Sequence, residues 1–294
     1  MNNTNAETGS LSRQESLQQL RQTRRFDLLV VGGGATGLGV ALDAATRGLS
    51  VALVERDDFA KGTSSRATKL VHGGVRYLAQ GNVSLVREAL RERKAALHNA
   101  PHLVQPLPFL MPEFGLKGRL WDRLFYGTGL ILYDLLAGKA GLGNTQFLNR
   151  SETLRALPGV RTEDLVGSVQ YWDGQFDDAR MAVMLARTAA AHGAVVLNHC
   201  PVRALLHVGG KVCGASVTDT ETGEAIDVHA GCVVNATGVW VDELRRMDAD
   251  PQSHMVSPSQ GIHLVVDREF LPGDHALPVS YTHLTLPTSK PKCS

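Results

Sequence analysis

The stretch Phe26–Gly39, FDLLVVGGGATGLG, decides the fold. Phe26 to Val31 is a short apolar run, three glycines end it, and an Ala/Leu-rich segment from Ala35 to Arg47 follows at helical length. That pattern reads as strand, tight turn and helix. The next apolar run, LSVALVER, is a second buried strand closing at Glu55, which completes a right-handed β-α-β unit with parallel strands. Gly32, Gly34 and Gly37 form G-x-G-x-x-G in its required setting, with Glu55 18 residues beyond Gly37. The glycines permit a tight turn and close approach of a pyrophosphate to the helix N-terminus, where N–H groups and the dipole stabilise negative charge. Glu55 is placed to accept hydrogen bonds from ribose hydroxyls. FAD and NAD present the same ADP half to such a turn, so the fingerprint alone does not separate them.

With 294 residues, 43% hydrophobic and 20% charged, the chain can bury one large core or two modest ones, and disorder is excluded for most of it. A net charge of +1 provides no global field for nucleic acid, and no nucleic-acid partner is expected. Cys200, Cys213, Cys232 and Cys293 lie far apart, without zinc or redox spacing, so no metal site is expected and a reducing, cytoplasmic compartment is. Residues 1–24 lack the apolar run of a signal peptide and are expected to be a flexible tail with at most a short helix around Leu17.

Further along, Ser84 to Asn99 has the spacing of an amphipathic surface helix with Leu85, Ala89, Leu90 and Leu97 on its apolar side. Trp121 to Leu136 also has helical spacing, but is shorter than the roughly 20 residues that span a bilayer. A helix from Asp177 to Gly193 precedes strands at Val195–Asn198, Val202–His207, Val212–Thr218 and Ala225–His229. CVVNATGVWVDELRRM is then strand, turn and helix. The expected class is α/β, with a discontinuous dinucleotide-binding domain over 25–100 and 172–250. A partial, incomplete α+β substrate or cap domain covers 101–171, read as helical and irregular, and 251–278.

Between the second strand and the amphipathic helix lies GTSSRATKLVHGGVRYL, Gly62 to Leu78, seventeen residues too dense in hydroxyls, basic groups and glycines for a plain connection. Val234–Gly238, VNATG, is a strand ending in a small-residue turn. Together, GGGATGLG, TSSRATKLVHGGVRYL, DDAR and NATGVW resemble the FAD-dependent glycerol-3-phosphate dehydrogenase family, in order from about Phe26 to Val266. The resemblance implies a Rossmann-like, two-dinucleotide-fold flavoprotein that binds FAD. Its implied reaction oxidises sn-glycerol 3-phosphate to dihydroxyacetone phosphate, with hydride passing from C2 to flavin N5 and electrons leaving to quinone. It also implies a peripheral position on the cytoplasmic membrane.

The chemistry then assigns candidate roles. Arg76 suits the substrate phosphate through bidentate, charge-assisted hydrogen bonds. His72 suits the proton leaving the C2 hydroxyl, because imidazole accepts protons near neutral pH. By resemblance, Thr63, Ser64, Ser65, Thr68 and Lys69 line the cofactor, Gly73 and Gly74 let backbone pass close to its ring, and Tyr77 lies beside the substrate. Ala236, Thr237 and Gly238 form a second backbone approach to the cofactor, and Arg203 and Ala204 fall where related flavoproteins offer backbone to adenine. His263, in SQGIHLVV, is a second pocket candidate. Blander roles stay open: a structural histidine at 72, a surface ion pair at 76, a half-buried strand histidine at 263, plain sheet positions at 203 and 204, and helix-start residues at Asp177 and Asp178. The segment 121–136, with Lys117, Arg119 and Arg123 nearby, suits either core packing or an anionic membrane surface.

The last stretch departs from the family pattern after Pro278. Val279 to Thr288 resemble a translated sequencing adapter, so residues 279–294 are expected to be a non-native tail on a truncated chain whose own activity is doubtful. Two other functions remain: a related FAD-dependent amine or hydroxy-acid oxidase, in which Arg76 grips a carboxylate, and a non-catalytic fragment that binds FAD or ADP.

Overall fold

The computed structural model describes residues 12–73, 82–115, 129–130, 133, 135–136, 138, 141–248, 254–259, 261–262 and 264–278. The chain packs as two units, Met1–Ala67 with Asp178–Ile262 and Thr68–Asp177 with His263–Ser294. The chain first crosses at Ala67/Thr68 rather than near residue 100, so the amphipathic helix after the hydroxyl-rich loop belongs to the second unit. Gly74, Arg76, Tyr77, His263, most of 121–136 and the tail 279–294 lie outside the described residues. No described helix is long and apolar enough to cross a membrane.

The first unit is the expected Rossmann-like α/β arrangement. Strands β1 (Phe26–Val31), β2 (Val51–Val54), β7 (Val195–Leu197), β8 (Val202–Val208), β9 (Lys211–Thr218) and β10 (Ala225–Asn235) form one sheet in the order β7-β2-β1-β10-β9-β8. Pairing is parallel from β7 to β10 and antiparallel from β10 to β8. Alternation along β1 supplies both faces. Val30 packs with Val51, Leu53 and Val196 against helices α2 (Ala35–Thr46) and α5 (Asp178–Ala191), while Leu29 and Val31 pack with Ala52 and Val54 on the other side. Because both faces are covered, β2 is apolar at every position, as buried parallel strands are.

Two expectations are corrected here. The short helix expected around Leu17 is present but is not part of a loose tail: helix α1 (Arg13–Gln22) starts at a Ser12 cap that accepts from Glu15 N–H, packs on β7 and β10 and buries Leu17 and Leu20. Arg13 pairs with buried Asp219 and donates to the Asn198 carbonyl at 2.8 Å. Leu17 and Leu20 lie on one helix face, and their burial outweighs the polar composition of the segment. Likewise, Ala225–His229 and the following apolar run are one strand: β10 pairs with β9 through His229 and with β1 from Ala230, with no turn at Gly231.

In the second unit, β3 (Leu70–Val71), β4 (Val104–Phe114) and β6 (Leu165–Phe176) form an antiparallel sheet in the order β3-β6-β4, with β5 (Gln146–Asn149) also on β6. Helix α3 (Val83–Asn99) precedes β4, and α4 (Arg150–Ala156) begins with a reciprocal Asn149–Glu152 capping box. The expectation of a helical, irregular 101–171 is therefore corrected at its two ends, where β4 and β6 are long strands, while α4 lies between them. Pro106, Pro108 and Pro112 disguise β4, since proline is usually excluded from sheet interiors. All three occupy the same strand parity, and it faces away from β6: Leu110 N–H donates outward to Ala276, and Pro108 C=O accepts from Ala276 N–H. The missing N–H groups thus fall on the edge, and the pairing to β6 survives.

Candidate functional site

The glycine turn and the Ala236 turn sit at the carboxyl ends of neighbouring parallel strands. The register of β1 and β10 ends at Val31 opposite Asn235, and Ala236 N–H continues it by donating to Val31 C=O at 2.8 Å. The carboxyl ends of such strands are where open α/β folds bind ligands. Gly32 has φ +116, and a Cβ there would lie 2.4 Å from the Ala236 carbonyl oxygen. One turn into α2, a Cβ on Gly37 would lie 1.9 Å from the Gly32 carbonyl oxygen. Gly32 is thus held between Ala236 and Gly37, and neither Gly32 nor Gly37 has room for a side chain.

Helix α2 begins at Gly34, which offers no side-chain cap, and its first turn has no acidic residue. Ser64 Oγ accepts from Ala35 N–H at 2.8 Å, bringing a hydroxyl of the Thr63–Ser65 turn to the helix N-terminus. The Glu55 carboxylate accepts from Gly33 N–H at 2.5 Å and from Asp57 N–H at 2.8 Å, one bond to each oxygen, leaving acceptor capacity on both. The residues fit the ADP half of a dinucleotide: a cradle closed to a Cβ at Gly32 and Gly37, a helix N-terminus with the Ser64 hydroxyl at its first N–H for pyrophosphate, and an acid beside the turn.

Around this cradle, a Cβ on Gly62 would meet the Trp240 ring at 3.0 Å, and the Arg56 guanidinium lies 4.7 Å from that ring's centroid. Thr237 bonds to Asn235 Oδ1 through N–H and hydroxyl, Asn235 Nδ2 donates to Val241 C=O, and Gly238 has φ +60. Asp178 is buried; it accepts from Ala67 N–H at 3.1 Å and from Ala179 N–H at 2.8 Å, securing both the loop and the start of α5.

Gly32, Gly34, Gly37, Glu55, Ser64 and Ala236 are therefore brought together, with Thr63, Ser65, Thr237 and Gly238 on the same two turns. Arg203 and Ala204 are not. They are exposed on edge strand β8, three strands from β1, at a register shift between Val202 and Ala204. The segment beside Glu55 is instead Leu197–Cys200: Glu55 N–H donates to Leu197 C=O at 2.8 Å and its carbonyl accepts from Cys200 N–H at 2.7 Å.

In the second unit, Thr68 and Lys69 are exposed and Lys69 has φ +58. His72 is exposed, and Gly73 is buried. Gly73 N–H donates to both carboxylate oxygens of Asp173, at 3.0 and 3.2 Å, and a Cβ on Gly73 would lie 1.9 Å from the Tyr133 hydroxyl. Arg93, only 1% exposed, donates from Nη1 to Asp173 at 2.9 Å and to the Tyr133 hydroxyl at 3.0 Å. Burial, reinforced by the Asp173 carboxylate, pushes the Tyr133 hydroxyl above the usual tyrosine range, so it stays neutral. The sequence reading missed this group. Its signal is the burial of Val86, Leu90 and Arg93 at helical spacing: a cation on the inward stripe of α3.

The family model for FAD dependent oxidoreductases matches residues 27–289. A glycerol-3-phosphate dehydrogenase of Mycobacterium leprae is 47% identical over 256 residues, covering 87% of this chain and 43% of its own length. The human mitochondrial glycerol-3-phosphate dehydrogenase is 45% identical over 274 residues, covering 89% of this chain and 37% of its own. Among solved structures, the glycerol-3-phosphate dehydrogenase of Bacillus halodurans complexed with FAD aligns with a TM-score of 0.63 at 36% identity, over 82% of this chain and 40% of that one. The chain spans about two-fifths of the length of these curated relatives.

Proposed function

This chain belongs to the FAD dependent oxidoreductase family, and from that premise we propose that its protein oxidises sn-glycerol 3-phosphate to dihydroxyacetone phosphate. The observation that carries the reading is a conjunction: a nucleotide cradle closed to side chains at Gly32 and Gly37, in a chain 47% identical to a glycerol-3-phosphate dehydrogenase. FAD, when bound, supplies the acceptor for the hydride leaving C2. The chain's own residues do the rest. Gly32, Gly34 and the first turn of α2 hold the pyrophosphate, joined by the Ser64 hydroxyl, and Glu55 accepts from the ribose. Thr63, Ser65, Thr68, Lys69, Gly73, Gly74, Ala236, Thr237 and Gly238 complete the cofactor set. His72 takes the proton from the C2 hydroxyl as hydride departs, so that the carbonyl forms without a charged intermediate. Arg76 grips the phosphate dianion, with Tyr77 and His263 beside the substrate. Electrons pass on to quinone, and the protein works as a peripheral protein of the cytoplasmic membrane.

Anaerobic addition of glycerol 3-phosphate to the FAD-loaded protein tests this. Bleaching of the visible flavin absorbance, restored by a quinone analogue, is the expected result. Bleaching by glycine, sarcosine or a hydroxy acid, with none by glycerol 3-phosphate, would overturn it.

A further inference from the structure

The antiparallel ladder between β3 and β6 stops one rung short of where its register leads. Val71 lies opposite Gly174, and Phe176 N–H donates to Lys69 C=O, so the next hydrogen-bonded rung would join Gly73 to Trp172. That rung is split by an ion pair. Gly73 N–H goes to the Asp173 carboxylate, and the Trp172 carbonyl accepts from Arg93 Nη1 at 3.3 Å. Arg93 and Asp173 are themselves joined at 2.9 Å, with both side chains buried. The chain leaves the sheet at His72 with its next amide still fixed, but at the length of a side chain. Tyr133 closes the arrangement, its ring 5.7 Å from the guanidinium and its hydroxyl against Gly73.

A buried ion pair is poor evidence for stability, since apolar residues of similar volume often serve as well or better. What this pair specifies is the position of one peptide, His72–Gly73. We propose that Asp173, oriented by Arg93 and Tyr133, is a positioning residue that fixes this peptide and thereby aims the His72 imidazole at the substrate proton. This rests on the reading of His72 as proton acceptor above. The side chain of His72 is exposed and its backbone is held, which is what a base that must meet a ligand yet keep its aim requires.

The test uses the FAD-loaded protein and three variants: H72N, the apolar pair R93M/D173L, and all three substitutions together. The apolar pair avoids stranding either charge but removes the partners of Gly73 N–H and the Trp172 carbonyl, so flavin content should stay close to the parent while the thermal unfolding temperature falls modestly. Amide hydrogen exchange of the segment 70–73 should be slow in the parent and fast in R93M/D173L. With glycerol 3-phosphate, kcat should fall about 10²-fold or more in H72N and about 10- to 100-fold in R93M/D173L, with KM changed less than about threefold. The triple variant should be no slower than H72N alone, because a misaimed base and an absent base are equivalent. If H72N is impaired while R93M/D173L keeps full kcat, or if the triple variant loses the product of the two factors, the positioning role is wrong. Full activity in H72N overturns the base assignment itself, and the positioning role with it.

Discussion

Replacing Gly37 by alanine should destabilise the protein, whereas the same change at Gly39, two residues along the same helix, should stabilise it. Helix propensity favours alanine at both positions by about 0.8–1.0 kcal/mol. At Gly39 a Cβ would meet nothing within 4 Å, so the propensity gain is realised. At Gly37 the Cβ would sit 1.9 Å from the Gly32 carbonyl oxygen, and relief needs movement of roughly 1 Å. Gly32 cannot retreat, because its own α-carbon is packed against the Ala236 carbonyl at a φ of +116. Overpacking of this kind costs about 1–3 kcal/mol and sometimes more, and the absence of any flexible side chain to yield points to the upper end. G37A should therefore lose about 2 kcal/mol net and G39A should gain up to about 1 kcal/mol, a separation of roughly 10²-fold in the unfolding constant. Urea unfolding followed by circular dichroism reads both. FAD content after gel filtration gives a second measure, expected to fall in G37A alone, since the displaced turn is the one proposed to hold pyrophosphate. Equal stability of the two variants would refute the steric account of the cradle.

Three further outcomes follow from the geometry. E55Q keeps an acceptor for Gly33 N–H but loses the charge and sets an amide N–H against that of Asp57; FAD titration should show Kd raised about tenfold or more, consistent with about 1.5–3 kcal/mol for charged hydrogen bonds, and an unchanged Kd would remove Glu55 from the binding set. L20A should lower stability by about 2–5 kcal/mol because Leu20 is 2% exposed within the core cluster; a loss under 0.5 kcal/mol would mean that α1 is not docked. Burial of Asp219 opposes its ionisation, but hydrogen bonds from Thr222 and Arg13 prevail and hold its carboxyl below the ordinary aspartate range. Its stabilising contribution is complete above the unfolded value of about 3.9 and is lost as pH falls through the lowered folded value. D219N should be less stable at neutral pH, with a shallower loss of stability on acidification than the parent; parallel acid curves would exclude the Arg13–Asp219 contact as their source.

Which parts of this molecule were legible in sequence depends on what fixes the backbone. Gly32, Gly34 and Gly37 announced their turn by spacing, and at Gly32 and Gly37 only a missing Cβ allows the approach; Glu55 announced itself by distance along the chain. Ser64 was legible as a hydroxyl in a dense loop, though not as the partner of Ala35. Strand β4 was hidden because three prolines signal exclusion from a sheet, and only the three-dimensional edge reveals that all three point the same harmless way. Arg203 and Ala204 were placed by analogy of position, and the sheet order carries them away from β1 while Leu197–Cys200 takes the place beside Glu55. Helix α1 was hidden by composition: two leucines among polar residues look too few to dock until the hydrophobic face they meet is known.

Arg93 was invisible for a different reason, and that reason bears on how each unit holds its own backbone. In the first unit the backbone is held chiefly by sterics, with Gly32 caught between Ala236 and Gly37 and the Glu55 carboxylate adding one bond from Gly33 N–H. In the second it is held by charge, with Arg93 and Asp173 inserted where a backbone rung would otherwise close. A cation in an amphipathic helix reads as a solvated face unless its position on the apolar stripe is weighed. Arg47–Asp43, with 71% and 63% of its side chains exposed, is the ordinary case, and contributes at most about 1 kcal/mol. Arg93–Asp173 is the opposite case, shielded from salt and solvent, so raising ionic strength should leave it intact while weakening the surface pairs. Steric restraint is suited to the cradle, because a pyrophosphate asks only that backbone come close. A directed restraint suits the peptide behind His72, because an imidazole that accepts a proton must be aimed, and a split rung fixes direction as well as distance.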